Sequence, residues 1–177
     1  MGRNRKWIQT AILLAIVIVG AVTLAGGLFK GNEPPKVGAR APDFSLSGLD
    51  GKTHRLSDFR GKLVILNFWG TFCPPCKAEM PDLEAAYRKW QGDDVVILGV
   101  NLNESHVTVS SFVDQLGITF PILLDSQDEI RKKYGVMNFP TTFFIGRDGV
   151  IAVKQEGQME PGFIEQNIKN LLGKGQP

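Results

Sequence analysis

Cysteine is almost missing from this chain. Its 177 residues hold two, which excludes a framework of structural disulfides. Histidine is equally rare, with His54 and His106 in separate segments. A structural zinc site takes four nitrogen or sulfur ligands. These four residues are too dispersed to favour one, and both histidines read as surface residues. Neither charge sign dominates, since the formal net charge is +2. There is no arginine-rich stripe and no basic patch interleaved with aromatics, so no electrostatic case exists for nucleic acid. Repeats and low-complexity tracts are lacking too. What remains is 43% hydrophobic and 21% charged, the balance of a globular chain rather than a disordered one.

Charge is also missing from Trp7 to Phe29, "WIQTAILLAIVIVGAVTLAGGLF". About 20 mostly apolar residues suffice to cross a bilayer as a helix. The run is therefore expected to be a transmembrane anchor. A cleaved signal peptide is the alternative, but Thr23-Leu24-Ala25 is a poor cleavage site and the apolar core is long. Arg3, Arg5 and Lys6 abut the run more tightly than Lys30, Lys36 and Arg40 on its far side. The positive-inside bias then puts residues 1–6 in the cytoplasm and the bulk of the chain outside. Residues 30–41, bearing prolines and glycines, read as a semi-extended linker. Residues 42–177 are expected to form one domain with an ordinary core.

Within that domain strands alternate with helices. "DFSLSG" and "KTHRLSD" flank the Asp50-Gly51 turn as a hairpin. "KLVILNF" is a continuous apolar run, expected to be a central buried strand. An amphipathic helix follows over Pro75 to Trp90. "DVVILGVNL" and "FPILLD" are further strands, with "HVTVSSFVDQLG" a helix between them that stops at Gly117. Ser126 is expected to cap a short helix ending at Gly135. "TTFFIG" and "VIAVKQEG" form a hairpin through Arg147-Asp148-Gly149, and "EPGFIEQNIKNLLG" is a closing helix. The expected fold class is α/β with a mixed sheet.

Both cysteines sit together, in "NFWGTFCPPCKAEMP", just past the central strand where a helix opens. Residues three apart share nearly one helix face, so the two sulfurs can bond or separate with little backbone motion. The helix N-terminus carries positive partial charge and unpaired N–H groups, which favour a thiolate at Cys73. This arrangement suits thiol–disulfide exchange. Cys73 attacks a partner disulfide, and Cys76, one turn deeper, resolves the mixed disulfide. Such chemistry calls for no cofactor and no metal.

The stretches "NFWGTFCPPCKAEMP" and "NFPTTFFIGRDG", with the spacing between them, resemble the thioredoxin superfamily. Within it the chain is similar to membrane-anchored thiol-disulfide oxidoreductases of the ResA, TlpA and CcmG type. The resemblance covers nearly everything beyond the linker. It implies a thioredoxin-like fold with an N-terminal β-hairpin and an inserted βα unit, supplied here by "HVTVSSFVDQLGITFPILLD". It matches Pro81 to the proline that kinks the active-site helix, eight residues after the first cysteine. It matches Pro140 to a cis-proline facing the cysteines, whose preceding residue, Phe139, pairs with an extended substrate. Trp69 and Phe72 are expected to border the same site.

Two departures matter. Thioredoxin has a buried aspartate six residues before its first cysteine, and this chain has Asn67, which cannot titrate. By a looser alignment, Gly99 replaces a buried lysine. ResA-like proteins carry an active-site glutamate at the position of Glu79, which neighbours Cys76 on the helix. A carboxylate there would raise thiol pKa values and relay protons. The competing reading makes Glu79 a solvated acid favoured by the helix dipole. Pro74 and Pro75 remove two N–H donors from the sulfur of Cys73, which implies a less stabilised thiolate and a reductant.

The resemblance implies reduction of the haem-binding Cys-X-X-Cys-His of apocytochrome c, with electrons from a membrane carrier of the CcdA or DsbD type. Other exported clients, for example in spore envelope synthesis, fit the same residues. A peroxidase would need a threonine three residues before the reactive cysteine, where this chain has Gly70, with Thr71 one place late. A membrane-tethered binding module without chemistry would leave the intact cysteine pair unexplained.

Overall fold

The structure is a computed structural model that describes Trp7 and residues 11–20, 33–92 and 94–173. The chain divides into two units, Met1–Glu33 and Pro34–Pro177. In the first, residues 11–20 are helical. Among the described residues no helix is long and apolar enough to cross a membrane, and residues 8–10 and 21–29 of the expected anchor lie outside them.

The second unit is built on seven strands: β1 (Ser45–Gly48), β2 (Thr53–Arg55), β3 (Leu63–Trp69), β4 (Val95–Leu102), β5 (Ile122–Asp125), β6 (Thr141–Ile145) and β7 (Ile151–Glu156). They form one sheet in the order β2-β1-β5-β4-β3-β6-β7. The three central strands are parallel, and the flanking pairs are antiparallel. Parallel neighbours need crossover connections, and the sequence supplies them as helices: α1 (Pro74–Trp90) after β3 and α2 (His106–Leu116) after β4. A short α3 (Glu129–Tyr134) and a closing α4 (Pro161–Gly173) complete the unit.

Every residue of β3 is buried, because layers cover both faces of the sheet. Leu63, Ile65 and Trp69 point toward α1, α2 and α4, while Val64, Leu66 and Phe68 point toward α3, Ala41 and Phe44. The alternation is the pleat itself, and it places Asn67 on the α1 side. The expected linker is not wholly free. Gly38 N donates to Ile151 O at 2.8 Å, and Ala41 N donates to Gly149 O at 2.9 Å. Tyr134 fastens the same segment by donating its hydroxyl to Pro42 O at 2.7 Å.

Gly117 does end α2, in the left-handed conformation that favours glycine. Ser126 does not cap α3. The buried Asp125 carboxylate takes the N–H groups of Glu129 and Arg131 at 3.0 and 2.8 Å, since a charged acceptor with two oxygens serves two donors where a hydroxyl serves one. Gly99 stands opposite Asn67 in the β3–β4 ladder, where a Cβ would come within 2.8 Å of Ile122 and 3.0 Å of the Trp69 indole nitrogen. The Ile122, Phe120 and Trp69 side chains fill that space, so the position beside Asn67 carries no proton carrier and a larger residue there would have to displace them.

Candidate active site

The site forms where β3 ends and α1 begins. Trp69 is the last strand residue, Gly70 to Phe72 make the connection, and Cys73 is the N-cap of α1. Cys73 N donates to Gly70 O at 3.2 Å, closing a turn. The sulfur of Cys73 then accepts from Cys76 N at 3.2 Å, in the place of the usual capping oxygen. Pro74 and Pro75 occupy the first two helical positions, where a missing N–H breaks no helical bond. The helical run continues through Pro81 to Trp90.

Cys73 and Cys76 are joined by a disulfide, with Cα atoms 5.3 Å apart. Cys76 is fully buried and Cys73 is 6% exposed. Beside them Phe72 is 62% exposed, with its ring edge-on to Phe139 at 6.1 Å. The Phe139–Pro140 peptide bond is cis, as the resemblance implied. Trp69 is fully buried in the cluster that also holds Cys73 and Cys76, with its ring on Phe112 at 5.4 Å.

Glu79 is not the solvated acid of the competing reading. It is fully buried on the face of α1 that also carries Cys76, Met80 and Leu83. Its Oε1 accepts from Asn67 Nδ2 at 2.7 Å and its Oε2 from Met159 N at 3.0 Å. Burial outweighs these two neutral donors and pushes the Glu79 pKa from 4.5 up to about 7. Glu84, one turn and a half later, shows the opposite balance. Burial would raise it, but Thr119 N, the Thr119 hydroxyl and the Arg88 guanidinium hold it below the ordinary value. Two buried carboxylates on one helix thus differ through their donors, and only Glu79 is poised to gain or lose a proton near neutrality.

Asn67 donates to Thr142 Oγ1 at 2.9 Å as well as to Glu79. Its Oδ1 has no hydrogen-bond partner among the described residues. Turning the amide over would present that oxygen to a protonated Glu79, so this pair suits both charge states of the acid. Asparagine in place of the thioredoxin aspartate therefore serves as the holder of a titrating group. Met159 and Thr142 carry no local signal of this role, because they come from segments distant in sequence and only the strand order brings them to Glu79 and Asn67. Thr71 gives its hydroxyl to Glu104, an arrangement unrelated to the threonine that a peroxidase reading would require.

Among the described residues no group of three or more histidine, cysteine, aspartate or glutamate side chains could hold a metal ion. His54 pairs with Asp50 at 3.1 Å, and His106 lies 3.4 Å from Leu49 O.

A disulfide two residues wide at the N-terminus of a helix, on a thioredoxin-like sheet, defines a thiol-disulfide oxidoreductase. The chain belongs to the AhpC/TSA family, whose model matches residues 37–154. It is 40% identical over 169 residues to the thiol-disulfide oxidoreductase ResA of Geobacillus thermodenitrificans, covering 96% of this chain and 97% of the relative. It has the same identity over the same length to the ResA of Geobacillus kaustophilus, with the same coverage. Among solved structures it is similar to a putative thiol:disulfide interchange protein DsbE from Chlorobium tepidum. The TM-score there is 0.74 and the identity 30%, over 78% of this chain and 99% of that one.

Proposed function

We propose that this oxidoreductase is an extracytoplasmic reductant of protein disulfides, held to the membrane by residues 7–29, with apocytochrome c as its client. The observation that carries the direction of electron flow is the scarcity of backbone donors at the Cys73 sulfur. Among the described residues it accepts from one backbone donor, Cys76 N, because Pro74 and Pro75 have no N–H to give. A thiolate with few donors is less stable, which makes the dithiol the better electron donor.

Cys73, as thiolate, attacks the client disulfide and forms a mixed disulfide. Cys76 passes its proton to Glu79, whose pKa near 7 suits it to accept and return one at neutral pH. The Cys76 sulfur then attacks Cys73, the client leaves as a dithiol, and the Cys73–Cys76 disulfide seen in the structure is the product. A membrane carrier of the CcdA or DsbD type would restore the dithiol. The exposed Phe72 and the cis Phe139–Pro140 segment would receive the client chain.

Equilibration with a thiol buffer of known poise tests the direction. The potential should fall at or below about −200 mV, and a value near about −120 mV, where strong oxidants lie, would overturn it. Anchoring predicts that the full-length chain stays in alkali-washed membranes and that protease added outside protoplasts digests its domain. Release by the wash, or protection from the protease, would remove that part of the proposal.

A further inference from the structure

The connection between β3 and Cys73 does not hold its shape alone. Glu104, in the loop between β4 and α2, reaches it across the parallel ladder. Its Oε2 accepts from Thr71 N at 2.7 Å and from Asn101 Nδ2 at 2.7 Å, and its Oε1 accepts the Thr71 hydroxyl. Three donors on one carboxylate form a tight set, and charge-assisted bonds are the strong ones. Thr71 is one of the two central residues of the turn that Cys73 N closes on Gly70 O. Asn101 is fully buried and lies opposite Trp69 in the ladder. Asn103, just before Glu104, has φ 51°, a left-handed conformation that asparagine tolerates and that bends the chain out of β4. Ser105, just after, caps α2 by accepting from Thr108 N at 3.1 Å. Glu104 is thus held on both sides.

We infer that Glu104 is a positioning residue for thiol–disulfide exchange: through Thr71 and Asn101 it fixes the turn that aims the Cys73 sulfur at an incoming disulfide. Exchange is an in-line displacement at sulfur, so rate depends on the direction from which the attacking atom approaches. Without Glu104 the Thr71 N–H and hydroxyl lose their acceptors, and the turn before Cys73 is free to rotate while α1 and the sheet persist. Glutamine at 104 preserves the set, with its carbonyl oxygen taking Thr71 N and Asn101 Nδ2 and its amide donating to the Thr71 hydroxyl. The role is therefore one of geometry rather than charge. The inference rests on Cys73 being the attacking sulfur.

The test uses the reduced full-length protein and a synthetic oxidised Cys-X-X-Cys-His peptide, in single turnover well below every variant's melting temperature. Glu104→Ala should lower the first-order rate at saturating peptide about tenfold, with half-saturation within about twofold of the wild type. Glu104→Gln should restore the rate to within about twofold. Rates unchanged in Glu104→Ala, even with a lower melting temperature, would overturn the inference, as would Glu104→Gln as slow as Glu104→Ala. Should Glu104→Ala fail to fold, Thr71→Val removes one of the three bonds. About a threefold loss of the same rate is then expected, and no loss contradicts the inference. Mass mapping of the mixed disulfide in the wild type separates the two levels: an adduct on Cys76 instead of Cys73 would remove the underlying reading, whatever the Glu104 variants do.

Discussion

Cys73→Ser is expected to reduce disulfide exchange by at least about a thousandfold while leaving the fold intact, the scale of losing a covalent nucleophile. The two effects separate because of what Cys73 does structurally. It is the N-cap of α1, and its side chain accepts from Cys76 N. Serine is among the best N-cap residues, so its hydroxyl takes over that bond. The lost disulfide closed only a three-residue separation, the short end of the loop-entropy scale. A near-native melting temperature should therefore accompany near-zero turnover of an oxidised peptide. Cys76→Ser should behave differently: it permits the first attack and then stalls. Turnover by Cys73→Ser within about tenfold of the wild type would move the attacking role to another atom.

The second large effect concerns Glu79 and pH. Its folded pKa lies at about 7, above the ordinary 4.5, because burial disfavours the charged form. The folded state therefore binds more protons than the unfolded state between these values. The associated stability is fully present below about 4.5 and is lost as pH rises through about 7, a change of about 3 kcal/mol. Glu79→Gln cannot titrate, so its stability should lack this decline. Urea midpoints of the oxidised proteins at pH 5 and pH 8 measure the difference without interference from thiols. In exchange assays, the wild type's resolution rate should rise through about pH 7, and the same variant should lose that rise. Parallel pH dependences of stability in the two proteins would mean that Glu79 stays ionised in the folded chain.

Much of this architecture could be read before any coordinates. β3 announces itself as a continuous apolar run, and the Pro-Pro pair places the start of α1 because proline is best tolerated in a first helical turn. The cysteine spacing, with Glu79 three residues beyond, fixes one face of one helix. Local periodicity carries all of that. What it does not carry is the partner of each polar group. Asn67 reads as a lost aspartate, and only the fold shows it holding Glu79. Glu104 lies 33 positions from Thr71 and reads as an ordinary loop acid, yet the β3–β4 register brings the strand ends together. Trp69 stands next to the reactive turn in sequence, and the pleat seats its ring in the buried cluster that also holds both cysteines. Ser126 fails because a buried carboxylate one residue earlier competes for the same N–H groups.

Trapping tests the central claim most directly. Full-length Cys76→Ala, reduced and returned to membranes, should accumulate a covalent adduct whose tryptic map joins Cys73 to a cysteine of an exported protein, apocytochrome c on the present reading. A different exported client would redirect the assignment of partner and leave the chemistry standing. No adduct at Cys73, in a variant that remains folded and reduced, would contradict the account.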